Sequence, residues 1–208
     1  MRRLVPSDGL ARCWWAPGEP LDAVLAAYHD DEWGRPIGRD RELFEKLALD
    51  TFQAGLSWSV ILHKRDAFRR AFHGFEPGVV AGFGAADVAR LLGDPGIVRN
   101  RAKIEATIGN ARRCLELIAS EGSLAAYLAR FAPPPARRLP PAATRADVPA
   151  TSDVSDALSA DLRARGWRFV GSTVVYAFMQ AVGLVDDHVP GCFRYRGGDP
   201  LSRQPTRR

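Results

Sequence analysis

Apolar residues recur at intervals of three and four along most of the chain, which is the spacing of one buried face of an α-helix. The clearest examples are residues 40–48 and the long stretch 100–119. No stretch shows the strict apolar–polar alternation of a half-buried strand, and no internal repeat is present. The pattern predicts an all-α fold.

Further helices follow from the same spacing and from polar residues that can cap a helix start. Asp40 and Ser152 are predicted N-caps. Residues 171–182 are mostly apolar and are interpreted as a buried helix, although their β-branched run also permits a strand. The predicted helices cover residues 21–28, 40–48, 57–62, 65–72, 87–92, 100–119, 123–131, 152–165 and 171–182.

The length of 208 residues and the 46% hydrophobic content suit one globular domain. We expect a disordered leader over residues 1–11, a single domain of two helical lobes over 12–195, and a disordered tail over 196–208. The Pro-rich stretch 132–149 is the predicted lobe boundary. No apolar run approaches the ~20 residues of a membrane span, and no secretion signal is evident, so a cytoplasmic protein is predicted.

Charge and cysteine content exclude few binding partners or kinds of site. The net charge of +5 is compatible with a polyanionic partner, but many basic soluble proteins have none. Three cysteines in a reducing compartment argue against a disulfide framework and leave metal binding open. Cys13 and His29 near one end, with His188 and Cys192 near the other, are residue types that zinc prefers. Their spacing matches no short zinc motif, so buried cysteines and ordinary histidines remain an alternative.

Aromatic residues are dense near the N-terminus. Nucleic-acid bases stack on aromatic faces, and a cationic base gains a further cation–π attraction. Packing in the hydrophobic core is the alternative for each of them. The residues concerned are Trp14, Trp15, Tyr28, Trp33 and Trp58.

Asp50 ends an apolar helix directly before the turn that leads to Trp58. A carboxylate facing an aromatic pocket can accept hydrogen bonds from an exocyclic amine and offset positive charge. A simple helix-end cap is the alternative. If Asp50 recognises a ligand, we expect Asp50→Asn to cost activity with little change in melting temperature.

The turn Gly93-Asp94-Pro95-Gly96 separates two predicted helices and indicates a helix-hairpin-helix. Backbone N–H groups at the start of a helix bind phosphate well, and basic side chains add positive charge. An ordinary joint between two helices is the alternative. The predicted contacts to a phosphate backbone are Gly96, Val98, Arg99, Arg101 and Lys103.

Several longer strings resemble the DNA-3-methyladenine glycosylase I family, a divergent helix-hairpin-helix group of bacterial repair enzymes. The strings occur in family order over residues 12–195, and the first two are highly specific. They are YHDDEWG (28–34), QAGLSW (53–58), GIVR (96–99), IGNAR (108–112), SDALS (155–159), FMQA (178–181) and DH (187–188).

The resemblance implies an enzyme that flips 3-methyladenine out of double-stranded alkylated DNA and hydrolyses its N-glycosidic bond, which starts base excision repair. We expect the enzyme to be monofunctional and monomeric. It implies one structural zinc per chain, with no part in the reaction. Asp50 is the implied pocket carboxylate and catalytic residue. The implied zinc ligands are Cys13, His29, His188 and Cys192, and the implied base pocket is Trp15, Tyr28, Trp33 and Trp58.

The chain departs from the family pattern in several places. Asp50 stands where many members have Glu, and Thr51-Phe52 where they have a small residue and Gln. Leu25 takes the place of a pocket tyrosine of some members, and Trp14 that of a glycine. Two alternatives therefore stay open: a protein that binds alkylated DNA without cleaving the glycosidic bond, and a glycosylase for another alkylpurine such as 3-methylguanine.

Overall fold

The computed structural model describes residues 8–17, 22–131 and 137–196, and helices dominate these ranges. Residues 1–7, 197–208 and the predicted first helical residue, 21, lie outside them. The helices are α1 (Ala23–Asp31), α2 (Asp40–Gln53), α3 (Trp58–His63), α4 (Arg65–Ala71), α5 (Pro77–Ala81), α6 (Ala85–Gly93), α7 (Arg101–Glu121), α8 (Leu124–Ala129), α9 (Asp153–Ala164) and α10 (Ser172–Ala181).

The long predicted helices are confirmed, including α10, for which the sequence also permits a strand. Ser152 caps α9 as predicted, its hydroxyl accepting the Ser155 N–H at 3.2 Å. Asp40 does not cap α2. It is the first residue of that helix, and its carboxylate accepts the Leu124 N–H at 2.8 Å, at the start of α8. The cap prediction was wrong because the carboxylate satisfies a different helix terminus.

A short helix and a pair of short strands give no signal in the hydrophobic pattern. The five-residue helix α5 is too short to show a period. A two-residue strand β1 (Arg137–Arg138) pairs in parallel with β2 (Val185–Asp186), with Arg137 opposite Val185. This pairing fastens the Pro-rich stretch to the segment that follows α10. The all-α prediction is otherwise confirmed for the described ranges.

The helices enclose a large apolar core and a smaller cluster beside it. α7 and α2 run through the large core, which contains a cluster of buried phenylalanines in ring contact, among them Phe52, Phe68 and Phe72. Burying each such side chain contributes roughly 1.5–3 kcal/mol. The smaller cluster joins Cys13, Tyr28, Trp33 and Cys192 with neighbouring apolar residues. Trp58 packs against both clusters, so the two meet beside the C-terminal half of α2.

No helix within the described ranges combines the length and the apolar composition needed to cross a membrane.

Gly183 lets the chain after α10 turn back against the loop that follows α1. Its φ is +76°, and a Cβ there would lie 3.0 Å from the Gly34 carbonyl oxygen and 3.1 Å from the Pro36 nitrogen. Both backbone strain and a clash with rigid backbone therefore oppose a side chain. We expect Gly183→Ala to lower the free energy of unfolding by about 3 kcal/mol.

Gly122 provides the control for that substitution. It has a similar φ of +83°, but a Cβ there would meet no atom within 4 Å. Gly122→Ala should therefore cost only the backbone strain, about 1 kcal/mol. Urea denaturation of both variants measures the difference, and equal losses would contradict a role for the close contact at Gly183.

Candidate functional site

A cavity of about 620 Å³ opens where the two apolar clusters meet. The four predicted pocket aromatics all line it, together with Asp50 and Leu25. The full lining is Trp14, Trp15, Leu25, Tyr28, Trp33, Lys46, Asp50, Gln53, Ser57, Trp58, Ser59, Arg145, Val148, Pro149, Ala150, Ala177 and Gln180. Its size and its mainly apolar lining, which includes five aromatic residues, suit a flat organic ligand.

The aromatic rings form a connected wall of this cavity. The rings of Trp15 and Trp33 meet edge to face at 5.0 Å between centroids, and Trp15 lies 6.2 Å from Tyr28. Tyr28 in turn lies 5.2 Å from Trp58. Aromatic pairs at such separations hold one another in place, which presents fixed ring faces to a ligand.

Helix α2 places two charged residues in this aromatic setting. Asp50 and Lys46 are four residues apart, so both lie on one face of the helix. The Lys46 ammonium forms an ion pair with Asp50 Oδ1 and lies 3.9 Å from the centroid of the Trp58 ring. Lys46 was not predicted as a site residue, although its spacing from Asp50 was a usable signal.

Burial dominates the electrostatics of this pair. Asp50 is 2% exposed, and removal from water raises the pKa of its carboxyl, against the opposing effect of Lys46. The same desolvation lowers the pKa of Lys46, against the attraction of Asp50. Asp50 Oδ2 is buried and accepts no hydrogen bond within the described ranges. A buried carboxylate oxygen of this kind is an acceptor available to a ligand.

The Pro-rich stretch supplies a wall of the cavity. Arg145, Val148 and Pro149 line it, and the Arg145 guanidinium lies 5.2 Å from the Trp14 ring. Gln180 of α10 also lines the cavity. None of these was a predicted pocket residue, because their position depends on how distant segments pack.

The family departure at residues 51–52 concerns packing more than the cavity. Phe52 is fully buried in the large core, with its ring 4.7 Å from that of Phe68. The Thr51 hydroxyl donates to the Phe169 carbonyl at 3.4 Å. Neither residue lines the cavity, whereas Leu25 and Trp14 do.

The four expected metal ligands come together in one buried cluster. Their ligand atoms all lie within 4.8 Å of one another. Cys192 Sγ is 3.4 Å from His29 Nε2 and 3.6 Å from His188 Nδ1, and Cys13 Sγ is 3.6 Å from His188 Nδ1. A tetrahedral ion with metal–sulfur and metal–nitrogen bonds of about 2.3 and 2.0–2.1 Å would separate sulfur and nitrogen by about 3.6 Å. The donor set and its spacing therefore fit a tetrahedral metal ion.

Outer contacts orient these ligands. The Asp30 carboxylate accepts from His29 Nδ1 at 2.9 Å, which leaves Nε2 facing the cysteines. The Arg194 N–H donates to Cys192 Sγ at 3.4 Å. Such second contacts fix the tautomer and direction of metal-binding side chains. The Trp33 ring stands edge to face with His188 at 4.6 Å, so one residue touches both the cluster and the cavity.

The predicted hairpin is present between α6 and α7, at residues 94–100. The Gly96 N–H donates to Asp94 Oδ1 at 2.7 Å, so the turn itself uses this donor. Val98 is half-buried, and Arg99 and Arg101 are exposed beside the start of α7. The two arginines form a basic surface next to the free N–H groups of a helix N-terminus.

Lys103 lies elsewhere than predicted. Its side chain is 7% exposed, and its ammonium donates to the carbonyls of Phe52 at 2.9 Å and Ala54 at 2.5 Å. The prediction of a phosphate contact was wrong because the side chain satisfies the carbonyls at the end of α2 instead. This contact fastens the hairpin to the turn that carries Leu56, an apolar residue that is 42% exposed.

Comparison with known proteins shows the family to which the chain is related. The family model described as methyladenine glycosylase matches residues 15–195. The chain is 44% identical to DNA-3-methyladenine glycosylase 1 of Escherichia coli (strain K12) over 191 residues, which covers 92% of this chain and all of that protein.

Solved structures show the same likeness in three dimensions. A crystal structure of 3-methyladenine DNA glycosylase I superposes with a TM-score of 0.84 at 43% identity, covering 89% of this chain and all of that one. A variant of a 3-methyladenine DNA glycosylase I in complex with 3-methyladenine gives a TM-score of 0.79 at 36% identity, covering 82% of this chain and 91% of that one. The chain therefore belongs to the methyladenine glycosylase family.

Proposed function

We propose that the chain is a DNA-3-methyladenine glycosylase, which hydrolyses the N-glycosidic bond of 3-methyladenine in alkylated DNA and so starts base excision repair. The observation that carries the proposal is the buried Asp50 carboxylate in a cavity walled by Trp15, Tyr28, Trp33 and Trp58. The relatives named above act on this base, and one of them has been seen with the base bound.

The chemistry needs little acid catalysis, because 3-methyladenine carries a positive charge while it is attached to the sugar. When the glycosidic bond breaks, its electron pair moves to the base and cancels that charge. The oxygen of a water molecule bonds to C1′ and gives up a proton. Ring faces attract the cationic base, and the Asp50 carboxylate accepts from its exocyclic amine. No lysine nucleophile is required, so the enzyme is monofunctional.

Access to the base requires that the nucleotide leave the duplex. We assign Arg99 and Arg101 to contacts with phosphate, together with the backbone N–H of the hairpin at Val98, since the turn itself uses the Gly96 N–H. Leu56 is exposed on the turn beside the cavity and is suited to fill the gap left by the base. The enzyme acts as a monomer on double-stranded DNA in the cytoplasm. Its glycosylase domain spans residues 12–195.

Zinc is the ion proposed for the cluster of Cys13, His29, His188 and Cys192. Zinc prefers thiolate and imidazole ligands in tetrahedral sites. Four protein ligands leave no place for a reactive water, so its contribution is structural: it ties the segment before α1 to the segment after α10. The cluster adjoins the cavity through Trp33, so the two segments that the ion joins also support the shape of the base pocket.

The decisive experiment incubates the protein with methylated duplex DNA and separates the released bases by chromatography. We expect 3-methyladenine release and no strand cleavage without a separate lyase or heat treatment. Unmethylated duplex is the control. Tight binding of methylated duplex without base release would support the non-catalytic alternative, and duplexes that carry 3-methylguanine distinguish the other one.

A further inference from the structure

The pocket already contains a cation at the place where a cationic ligand should bind. The Lys46 ammonium is paired with Asp50 Oδ1 and lies 3.9 Å from the centre of the Trp58 ring and 5.9 Å from that of Tyr28. The Asp50 carboxylate and an aromatic ring face are the two features proposed to recognise the cationic base. The Lys46 ammonium therefore occupies the site that is proposed for the cationic base.

A base cation and the Lys46 ammonium compete for this place. Both are attracted by the same carboxylate and the same ring, and both are repelled by each other's charge. Leaving the buried Asp50 with no positive partner is strongly unfavourable. The carboxylate thus favours having one cation beside it at a time.

A second cavity offers the Lys46 side chain an alternative position. This cavity, of about 290 Å³, shares Tyr28, Lys46 and Trp58 with the first, so the lysine lies at the boundary of the two. Glu32 and Glu45 line the second cavity. The Glu32 side chain is 44% exposed, so the cavity reaches solvent. Both carboxylates already form ion pairs there, Glu32 with Arg65 and Glu45 with Arg69, so the flexible Lys46 side chain would place its ammonium in the water of this cavity beside them.

We propose that Lys46 is a tethered cation that holds Asp50 between reactions, yields it to the cationic base, and returns once cleavage has made the base neutral. The inference rests on the proposed function. A neutral base cannot replace Lys46 as the positive partner of Asp50. The exchange therefore favours the positively charged methylated base over neutral bases. The same exchange expels the product, because bond cleavage removes the charge that let the base displace the lysine.

The test compares the binding of free 3-methyladenine, the neutral product, to wild-type protein and two variants by calorimetry at neutral pH. Lys46→Met keeps the volume but removes the competing charge, and we expect it to bind the free base at least tenfold more tightly. Lys46→Arg keeps a charge that pairs more persistently with a carboxylate. We expect it to bind the base at least tenfold more weakly and to release it from methylated DNA more slowly.

Each result decides between distinct roles. If Lys46 stayed beside Asp50 and held the base, Lys46→Met would weaken binding and Lys46→Arg would retain it. If Lys46 were only structural, both variants would melt at lower temperature with the dissociation constant unchanged. Either result overturns the proposal, and Lys46→Arg keeps it testable should Lys46→Met fold poorly. Arg39→Met, at the exposed start of the same helix, is the control and should bind the base like wild type.

The binding experiment is independent of catalysis. Wild-type protein that releases no 3-methyladenine from methylated DNA would contradict the proposed function. Wild-type protein that does release it, combined with unchanged binding in the Lys46 variants, would contradict the exchange alone.

Discussion

Asp50→Asn is expected to lower the rate of 3-methyladenine release by at least about a hundredfold, the usual cost of removing one preorganised electrostatic group. The asparagine side chain is neutral, so it no longer stabilises positive charge on the base and sugar as the bond breaks. Single-turnover release from a duplex with one lesion measures the effect directly. A rate like that of wild type would contradict the assigned role.

The same substitution should also cost stability, contrary to the expectation from sequence. Asp50 balances the ammonium of Lys46, whose side chain is only 11% exposed. Breaking a buried pair from one side typically costs about 3–5 kcal/mol. Because Lys46 borders a cavity that reaches solvent, we expect about 2 kcal/mol, which lowers the melting temperature of a chain of this size by about 4–8 °C.

A double variant separates the two effects. Lys46→Met with Asp50→Asn removes both charges and should recover most of the lost stability, while release of the base stays impaired. Asp50→Glu, unlike Asp50→Asn, keeps a carboxylate at this position and should therefore retain activity. Glu116→Gln removes a carboxylate that is 58% exposed on α7, and serves as the control with unchanged rate and melting temperature.

Helices were predictable from sequence wherever a local signal was long enough. The apolar period of α7 spans several turns, and Asn100 and Ser152 cap their helices through contacts three residues away. The two-residue strand pair has no such signal, because Arg137 meets Val185 through tertiary packing. Asp40 illustrates the same limit: its residue type predicts a cap, but the helix that it caps is 84 residues away in sequence.

The site residues also differ in whether a local sequence signal or tertiary packing places them. Lys46 could have been predicted, since a lysine four residues before a pocket carboxylate lies on the same helical face. The buried position of the Lys103 side chain could not be predicted, because it depends on where the end of α2 meets the start of α7. The Cys/His cluster was implied by family resemblance and not by spacing. Its four ligands converge only through the folded structure, with Gly34 and Gly183 at turns of positive φ.

Purified protein is expected to contain about one zinc per chain, and Cys13→Ser should lose it. The loss of a structural metal ranks among the most destabilising single changes, so we expect at least about 4 kcal/mol of lost stability. That corresponds to a drop in melting temperature of roughly 8–16 °C. Metal analysis and thermal melting in parallel measure both effects.

Cys114→Ser is the matched control for this variant. Cys114 is also a buried cysteine, but it lies in the large core on α7, away from the metal cluster. Its replacement buries a hydroxyl in apolar surroundings, which costs about 1–3 kcal/mol and leaves zinc content unchanged. A similar melting temperature for the two variants, with zinc retained in both, would contradict the assigned ligand set.

Removing zinc should also weaken base binding, because the cluster and the cavity share Trp33. The ring of Trp33 lies 4.6 Å from His188 on one side and borders the cavity on the other. When the histidine is no longer held by an ion, this part of the wall loses its support. We expect prolonged chelation to lower affinity for free 3-methyladenine together with stability, and added zinc to restore both. Chelated, metal-free protein that retains its affinity and its melting temperature would show that the four ligands do not support the pocket.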